Sequence, residues 1–208
     1  MHKKKFYFIV FEGVEGTGKS FQIKKLYKSL IKKKINVIRT REPGGPLTAE
    51  KIRNLIFSKD SEKFDSLTDF YLMCAARNEH VKKLLLTAKK KKQVIICDRF
   101  TDSTYAYQVI GNKIDSRVNM LNQNYILKKL KPNLTIILKS NFKTILSRIN
   151  KRKKLNKFDM LKVKFYKKAQ KTYINKAINN NSYYVFDSSN NTPDLEKNIL
   201  KLVIKKLK

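Results

Sequence analysis

Acidic residues are scarce in this chain: 16 Asp and Glu stand against 48 Lys and Arg in 208 residues, a formal net charge of +32. Cysteine is scarcer still, with only Cys74 and Cys97. Both sit among apolar residues, so the expectation is two buried free thiols in a reducing cytoplasm, not a disulfide scaffold. There is no internal repeat and no apolar stretch long enough to cross a membrane. The opening Met1-His2-Lys3-Lys4-Lys5 before an apolar run looks superficially like a signal peptide. That run spans only residues 6–11 and ends at Glu12, with no small-residue cleavage site, so a first strand is the better reading. The length suits one ordinary domain, residues 1–208, with a substantial core.

The excess charge is nearly all lysine, spread along the chain and mixed with abundant Asn, Ile, Tyr and Phe. A solvated lysine surface, produced by a compositional bias of the genome, is favoured over a polyanion-binding surface. No recognised nucleic-acid module accompanies it, so specific nucleic-acid binding is not expected. The eight arginines are more informative: Arg39, Arg41, Arg53, Arg77, Arg99, Arg117, Arg148 and Arg152. Guanidinium is a rigid fork that matches phosphate oxygens or a base edge, whereas ammonium is a point charge. In a chain this rich in lysine, each arginine is a candidate phosphate or base contact, with an ordinary salt bridge as the plain alternative.

Along the chain, apolar runs at 6–11, 36–40, 93–97, 134–138 and 183–186 read as five strands. Helical spacing lies between them: after residue 19, around 49–56, from 67 to about 91, at 101–109, at 120–130, over most of 142–177, and at 195–207. A lysine-rich interruption falls at 151–157. Strands alternating with helices predict an α/β domain with a parallel sheet. Ligands of such sheets bind beyond the carboxyl ends of the strands. That rule gathers the segments 13–20, 41–45 and 98–108 around one cleft.

The first segment, Gly13-Val14-Glu15-Gly16-Thr17-Gly18-Lys19-Ser20, matches the phosphate-loop pattern GxxxxGK[ST]. Its glycines let backbone N–H groups wrap phosphate oxygens. Lys19 is expected to reach the β and γ phosphates of a nucleoside triphosphate and the Ser20 hydroxyl to bind Mg²⁺, and the following helix N-terminus adds partial positive charge. Asp98, at a strand end, is expected to act on the metal through water.

Adding Glu42-Pro43-Gly44-Gly45, Ala75-Ala76-Arg77 and Asp98-Arg99-Phe100-x-x-Ser103-x-x-Ala106-Tyr107-Gln108, the chain resembles the thymidylate kinase (dTMP kinase) family over nearly its whole length. The resemblance implies a P-loop NTP hydrolase-like three-layer fold with a five-stranded parallel sheet. It implies ATP + dTMP → ADP + dTDP with Mg²⁺, and a homodimer. Residue by residue it implies that Glu15 contacts the sugar 3′-hydroxyl. Arg99 clamps the acceptor 5′-phosphate and Arg53 makes a second contact there. Arg77 donates to a thymine carbonyl and Gln108 bonds the thymine edge. Tyr107 packs where a ribose 2′-hydroxyl would clash. Thr104, four residues before Gln108, shares its helix face.

Three departures stand out. Met73 replaces a phenylalanine that stacks on thymine, and covers the base with a thioether instead. Val109-Ile110-Gly111-Asn112-Lys113 replaces a glycine-rich, arginine-containing loop. Gly16 stands where some members carry an arginine, and members lacking it supply one from a mobile lid. The lid here is expected at about 148–160, with Lys157 in place of its later arginine, Arg152 as charge donor to the transition state and Arg148 in support. The competing readings are a kinase for another deoxynucleotide, a basic ATP-dependent nucleic-acid-binding protein, and a degraded enzyme.

Overall fold

A computed structural model describes residues 5–58, 63–190 and 192–207. The basic residues before Lys5 lie outside them. Five strands form one parallel sheet: β1 (Tyr7–Glu12), β2 (Val37–Arg41), β3 (Val94–Asp98), β4 (Leu134–Lys139) and β5 (Tyr183–Asp187). Their order is β2-β3-β1-β4-β5. The chain therefore runs from β1 outward to one edge, and returns past β1 to the other. The carboxyl end of β1 lies at the turning point, where a crevice opens.

β1 is buried along its whole length, which is why its apolar run is continuous and not alternating. Tyr7, Ile9 and Phe11 join a core with Leu26 and Leu30 of α1 (Lys19–Lys32) and Ile199 and Val203 of α9 (Pro193–Leu207). Phe8 and Val10 face the opposite layer with Val81, Leu85 and Ala88. Burying each such Leu, Ile or Phe contributes about 1.5–3 kcal/mol. Helices on both faces make the three layers that the resemblance implies.

The remaining helices are α2 (Leu47–Ile56), α3 (Ser66–His80), α4 (Leu86–Lys90), α5 (Thr101–Thr104), α6 (Ser116–Leu127), α7 (Phe142–Asn150) and α8 (Val163–Ala177). The long helix expected at 67–91 is α3 joined to α4 through a π-helical segment, Val81–Leu85. The expected 101–109 helix likewise becomes α5 plus a π-helical segment, Tyr105–Val109. The wider turn shows in Ile110 N–H to Tyr105 O and Asn112 N–H to Tyr107 O, each five residues back. The helix read at 120–130 starts earlier and stops at Leu127, because Lys128 and Lys129 both have positive φ. The interruption in 142–177 extends from 151 to 162. It is held open by Asp159, whose carboxylate accepts from Asn156 N–H at 3.0 Å and Asn156 Nδ2 at 2.6 Å.

Candidate active site

The phosphate loop leaves β1 at Gly13 and enters α1 at Lys19. Gly13, Gly16 and Gly18 have φ of 141°, 73° and 81°, a region that side chains with a Cβ rarely adopt. Gly18 caps α1 without a side-chain bond, so the first amides of that helix are free for an anion. Val14 turns into the core beside Ile145. The Thr17 hydroxyl donates to Val14 O at 2.7 Å, closing the loop on itself. A Cβ on Gly16 would stand 2.7 Å from Ile145 O in α7. Helix α7 thus occupies the space an arginine would need there.

Lys19 Nζ donates to Gly13 O at 2.8 Å and Val14 O at 3.0 Å. Burial, then the nearby Arg99 charge, lower its pKa to about 8. Ser20 Oγ donates to Asp98 Oδ2 at 3.0 Å. Asp98 Oδ1 is buried and has no hydrogen-bond partner among the described residues. A hydroxyl, a carboxylate with one oxygen to spare and an adjoining phosphate cradle suit Mg²⁺, which keeps several waters and binds through few protein ligands. No group of three or more His, Cys, Asp or Glu side chains among the described residues could hold a metal alone.

The acceptor side is organised by β3 and the helix that follows. Arg99 has φ of 71°, an uncommon conformation for a non-glycine residue, and it turns the side chain back over the loop. Its Nη2 meets Glu15 Oε1 at 2.6 Å. Its Nη1 reaches Ser103 Oγ at 3.1 Å and Tyr173 Oη at 3.3 Å. Burial opposes the charge, but Glu15 and its neighbours more than offset this and hold the guanidinium pKa well above its usual range. Tyr107 donates to the other Glu15 oxygen, Oε2, and its ring lies under Arg99 at 5.2 Å. Burial, then the Glu15 charge, push the Tyr107 pKa well up, so it stays a neutral donor.

Deeper in the cleft, Arg77 Nε pairs with Glu42 Oε2 at 2.7 Å. Arg77 Nη2 donates to Phe100 O at 3.2 Å and Thr104 Oγ1 at 2.9 Å. Met73, Thr104 and Gln108 line the same pocket. Although the π segment breaks strict four-residue spacing, Thr104 and Gln108 still face it together. Arg53 Nη1 donates to Pro43 O at 2.8 Å, and its guanidinium stacks on Phe57 at 4.5 Å. Arg152 reaches the cleft from the segment between α7 and α8 while paired to Asp159.

Two lid residues sit elsewhere. Arg148 does not line the cleft. Its Nη1 donates to Gly16 O at 3.2 Å, and its Nη2 to Ser188 O at 2.9 Å and Ser189 O at 3.3 Å. Lys157 reaches away to Asp69 on α3.

Known proteins resemble this chain over most of its length. The family model for thymidylate kinase matches residues 11–199. The chain is 37% identical over 171 residues to the thymidylate kinase of Ruthia magnifica, covering 82% of this chain and 83% of that one. It is 38% identical over 194 residues to that of Mycoplasma genitalium, covering 91% and 90%. The crystal structure of thymidylate kinase from Ehrlichia chaffeensis superposes with a TM-score of 0.75 at 30% identity, over 96% of this chain and 99% of that one. The chain belongs to the thymidylate kinase family.

Several residues of this thymidylate kinase's cleft escaped the sequence reading. Glu12 is wholly buried. Its Oε1 accepts from Phe100 N–H at 2.8 Å and Ser103 N–H at 3.2 Å, and its Oε2 from Ser103 Oγ at 2.6 Å. Burial, then Asp102, raise its pKa to about 7. A carboxylate directly before the phosphate loop was the available signal. His80 supports Glu42 through Nδ1 at 2.8 Å and touches Thr40 Oγ1 through Nε2 at 2.9 Å. Glu42 stays ionised: burial raises its pKa, but Arg77 and His80 together bring it below the usual value. Phe158 lines the cleft and Tyr173 of α8 supports Arg99 through its hydroxyl, with no sequence signal beyond being aromatic.

Proposed function

We propose that this kinase holds dTMP between α3, the β3 end and the phosphate loop, with ATP·Mg²⁺ on the loop itself. The chain is a dTMP kinase: it phosphorylates dTMP to dTDP with ATP, a step toward dTTP. Arg99 presents its fork to the acceptor 5′-phosphate, with Arg53 as a second contact, so the attacking oxygen is fixed in line. Glu15 accepts from the sugar 3′-hydroxyl, and Tyr107 fills the space of a ribose 2′-hydroxyl. Arg77 Nη1 donates to a thymine carbonyl, Gln108 bonds the base edge, and Met73 and Thr104 cover the base.

On the donor side, the amides of Gly13 to Ser20 wrap the phosphates and Lys19 neutralises the β and γ oxygens. Ser20 would hold Mg²⁺, with Asp98 acting on it through water, and the ion would supply charge neutralisation at the phosphates. Arg152, already at the cleft edge, is the lid cation for the transition state. Arg148 serves the transfer indirectly, by fixing the loop through Gly16. Residues 1–208 act as one unit, with the lid at about 148–160.

The single observation that carries this reading is the Glu15–Arg99–Tyr107 cluster. It brings a phosphate-loop acid into contact with the acceptor-binding arginine and a sugar-sized ring. The deciding test mixes protein, Mg·ATP and each nucleoside monophosphate, and follows ADP release, with Lys19→Ala as control. Turnover with dTMP, weaker with dUMP, is expected. No turnover with any monophosphate would overturn it.

We further propose a homodimer working in the cytoplasm. Tyr71 on α3 and Met120, Leu121 and Tyr125 on α6 are exposed, and α3 packs against α6. Sedimentation equilibrium tests the dimer. Cys74 and Cys97 are buried free thiols, in keeping with a reducing compartment.

A further inference from the structure

Asp69, Met73 and Arg77 stand four residues apart on α3, so they form one stripe along the helix. Met73 and Arg77 face the base pocket. Asp69 ends the stripe and receives Lys157 from the lid: Nζ lies 2.7 Å from Oδ1 and 2.6 Å from Oδ2. The next lid residue, Phe158, turns inward. Its ring meets Tyr107 at 5.5 Å and Phe57 at 5.5 Å, both near edge-on. The lid is therefore seated on the acceptor pocket at two places, one charged and one aromatic.

We propose that the Lys157–Asp69 ion pair is a latch that makes lid closure depend on a correctly seated acceptor base. The inference rests on the reading of this cleft as the dTMP site. Lys157 is a positioning residue: its ammonium is spent on both Asp69 oxygens, while Arg152 faces the cleft. A base that presses on Met73 and engages Arg77 holds the α3 stripe, and with it Asp69, in register with Lys157. A base without the thymine methyl touches Met73 less and supports the latch less. The pair is partly solvated, with Lys157 33% and Asp69 14% exposed, so it is weak enough to open at each turnover.

The test compares Asp69→Asn, Lys157→Met and the charge-swapped double variant Asp69→Lys/Lys157→Asp. Each single variant should raise KM for dTMP about two- to fivefold, the scale of a partly exposed pair. Single-turnover rate at saturating dTMP should stay within about twofold, and the preference for dTMP over dUMP should shrink. The swap should restore KM and preference. Because the chain has no tryptophan, Leu155→Trp at an exposed lid position gives a fluorescence signal for closure. With a non-hydrolysable ATP analogue, dTMP should drive that signal at lower concentration in the intact pair than in either single variant.

Unchanged KM in both single variants overturns the latch. So does a swap as weak as the singles with an unaltered thermal melt. A large loss of single-turnover rate in Lys157→Met, with Asp69→Asn unaffected, also overturns it and makes Lys157 a charge donor. Failure of the parent reading is separate: the unmodified protein would then turn over no monophosphate.

Discussion

Arg77 and Glu42 form an ion pair buried on both sides, Nε to Oε2 at 2.7 Å, which leaves Arg77 Nη1 buried and without a hydrogen-bond partner among the described residues. A buried donor in that state is costly, and a ligand oxygen relieves it. The Glu42–Arg77–Thr104 arrangement fixes where that oxygen must lie. On the proposed reading, base recognition is built into the same contacts that tie the end of β2 to α3 and α5.

Arg77→Lys retains a charge for Glu42 but removes the fork. KM for dTMP should rise about 10- to 100-fold, the value of a hydrogen bond from a charged donor. Arg77→Met removes the guanidinium partner of the buried Glu42 and leaves it only the His80 contact, so stability should fall by about 3 kcal/mol. Steady-state kinetics and urea denaturation separate the two effects. An unchanged KM in the lysine variant would remove Arg77 from base recognition.

Glu15→Gln should lower kcat/KM for dTMP about 10- to 100-fold, because the charged acceptor for the 3′-hydroxyl is gone. The same variant should barely alter turnover of 3′-deoxythymidine monophosphate, which has no such hydroxyl. The ratio of the two substrates is the measurement. Equal losses on both would assign Glu15 to Arg99 alone.

Arg148 and Arg152 should divide by function. Arg148→Met frees the Gly16, Ser188 and Ser189 carbonyls, and stability should fall by about 1–3 kcal/mol with weaker ATP binding. Arg152→Met should lower stability by about 1–3 kcal/mol, because the buried Asp159 carboxylate loses its cation, and should also lower the single-turnover rate about 100-fold or more, since it removes a transition-state charge. If Arg152→Met transfers phosphate at the parent rate, the lid cation lies elsewhere.

Glu12 makes the fold sensitive to pH. Its folded pKa of about 7 lies above the ordinary carboxyl value of 4.5, chiefly through burial. The folded state therefore holds this proton more tightly than the unfolded chain does. Its contribution to stability is complete below about pH 4.5 and is lost as pH rises through about 7. Denaturant titrations at pH 5 to 8 should show the stability of the parent falling relative to Glu12→Gln, then levelling off. A difference independent of pH would mean that Glu12 is already ionised throughout.

The sequence by itself determined the five strands, the phosphate loop and much of the membership of the cleft. Each rests on local physics: continuous apolar runs, glycines with positive φ, and the rule that loops at strand ends share one side of a parallel sheet. Twelve side chains named from sequence line the pocket together: Glu15, Lys19, Ser20, Arg53, Met73, Arg77, Asp98, Arg99, Thr104, Tyr107, Gln108 and Arg152. Only the tertiary structure decided how the cations are spent. Arg148 is consumed by three carbonyls and Lys157 by Asp69, while Arg152, though paired to Asp159, still lines the cleft. Glu12, given no role in the sequence reading, becomes the buried acceptor that fixes the start of α5. A charge's role depends on which opposite charge or carbonyl lies within about 3 Å. For Lys157 that partner is 88 residues away, and for Arg148 the partners lie 40, 41 and 132 residues away, at distances along the chain that no local spacing encodes.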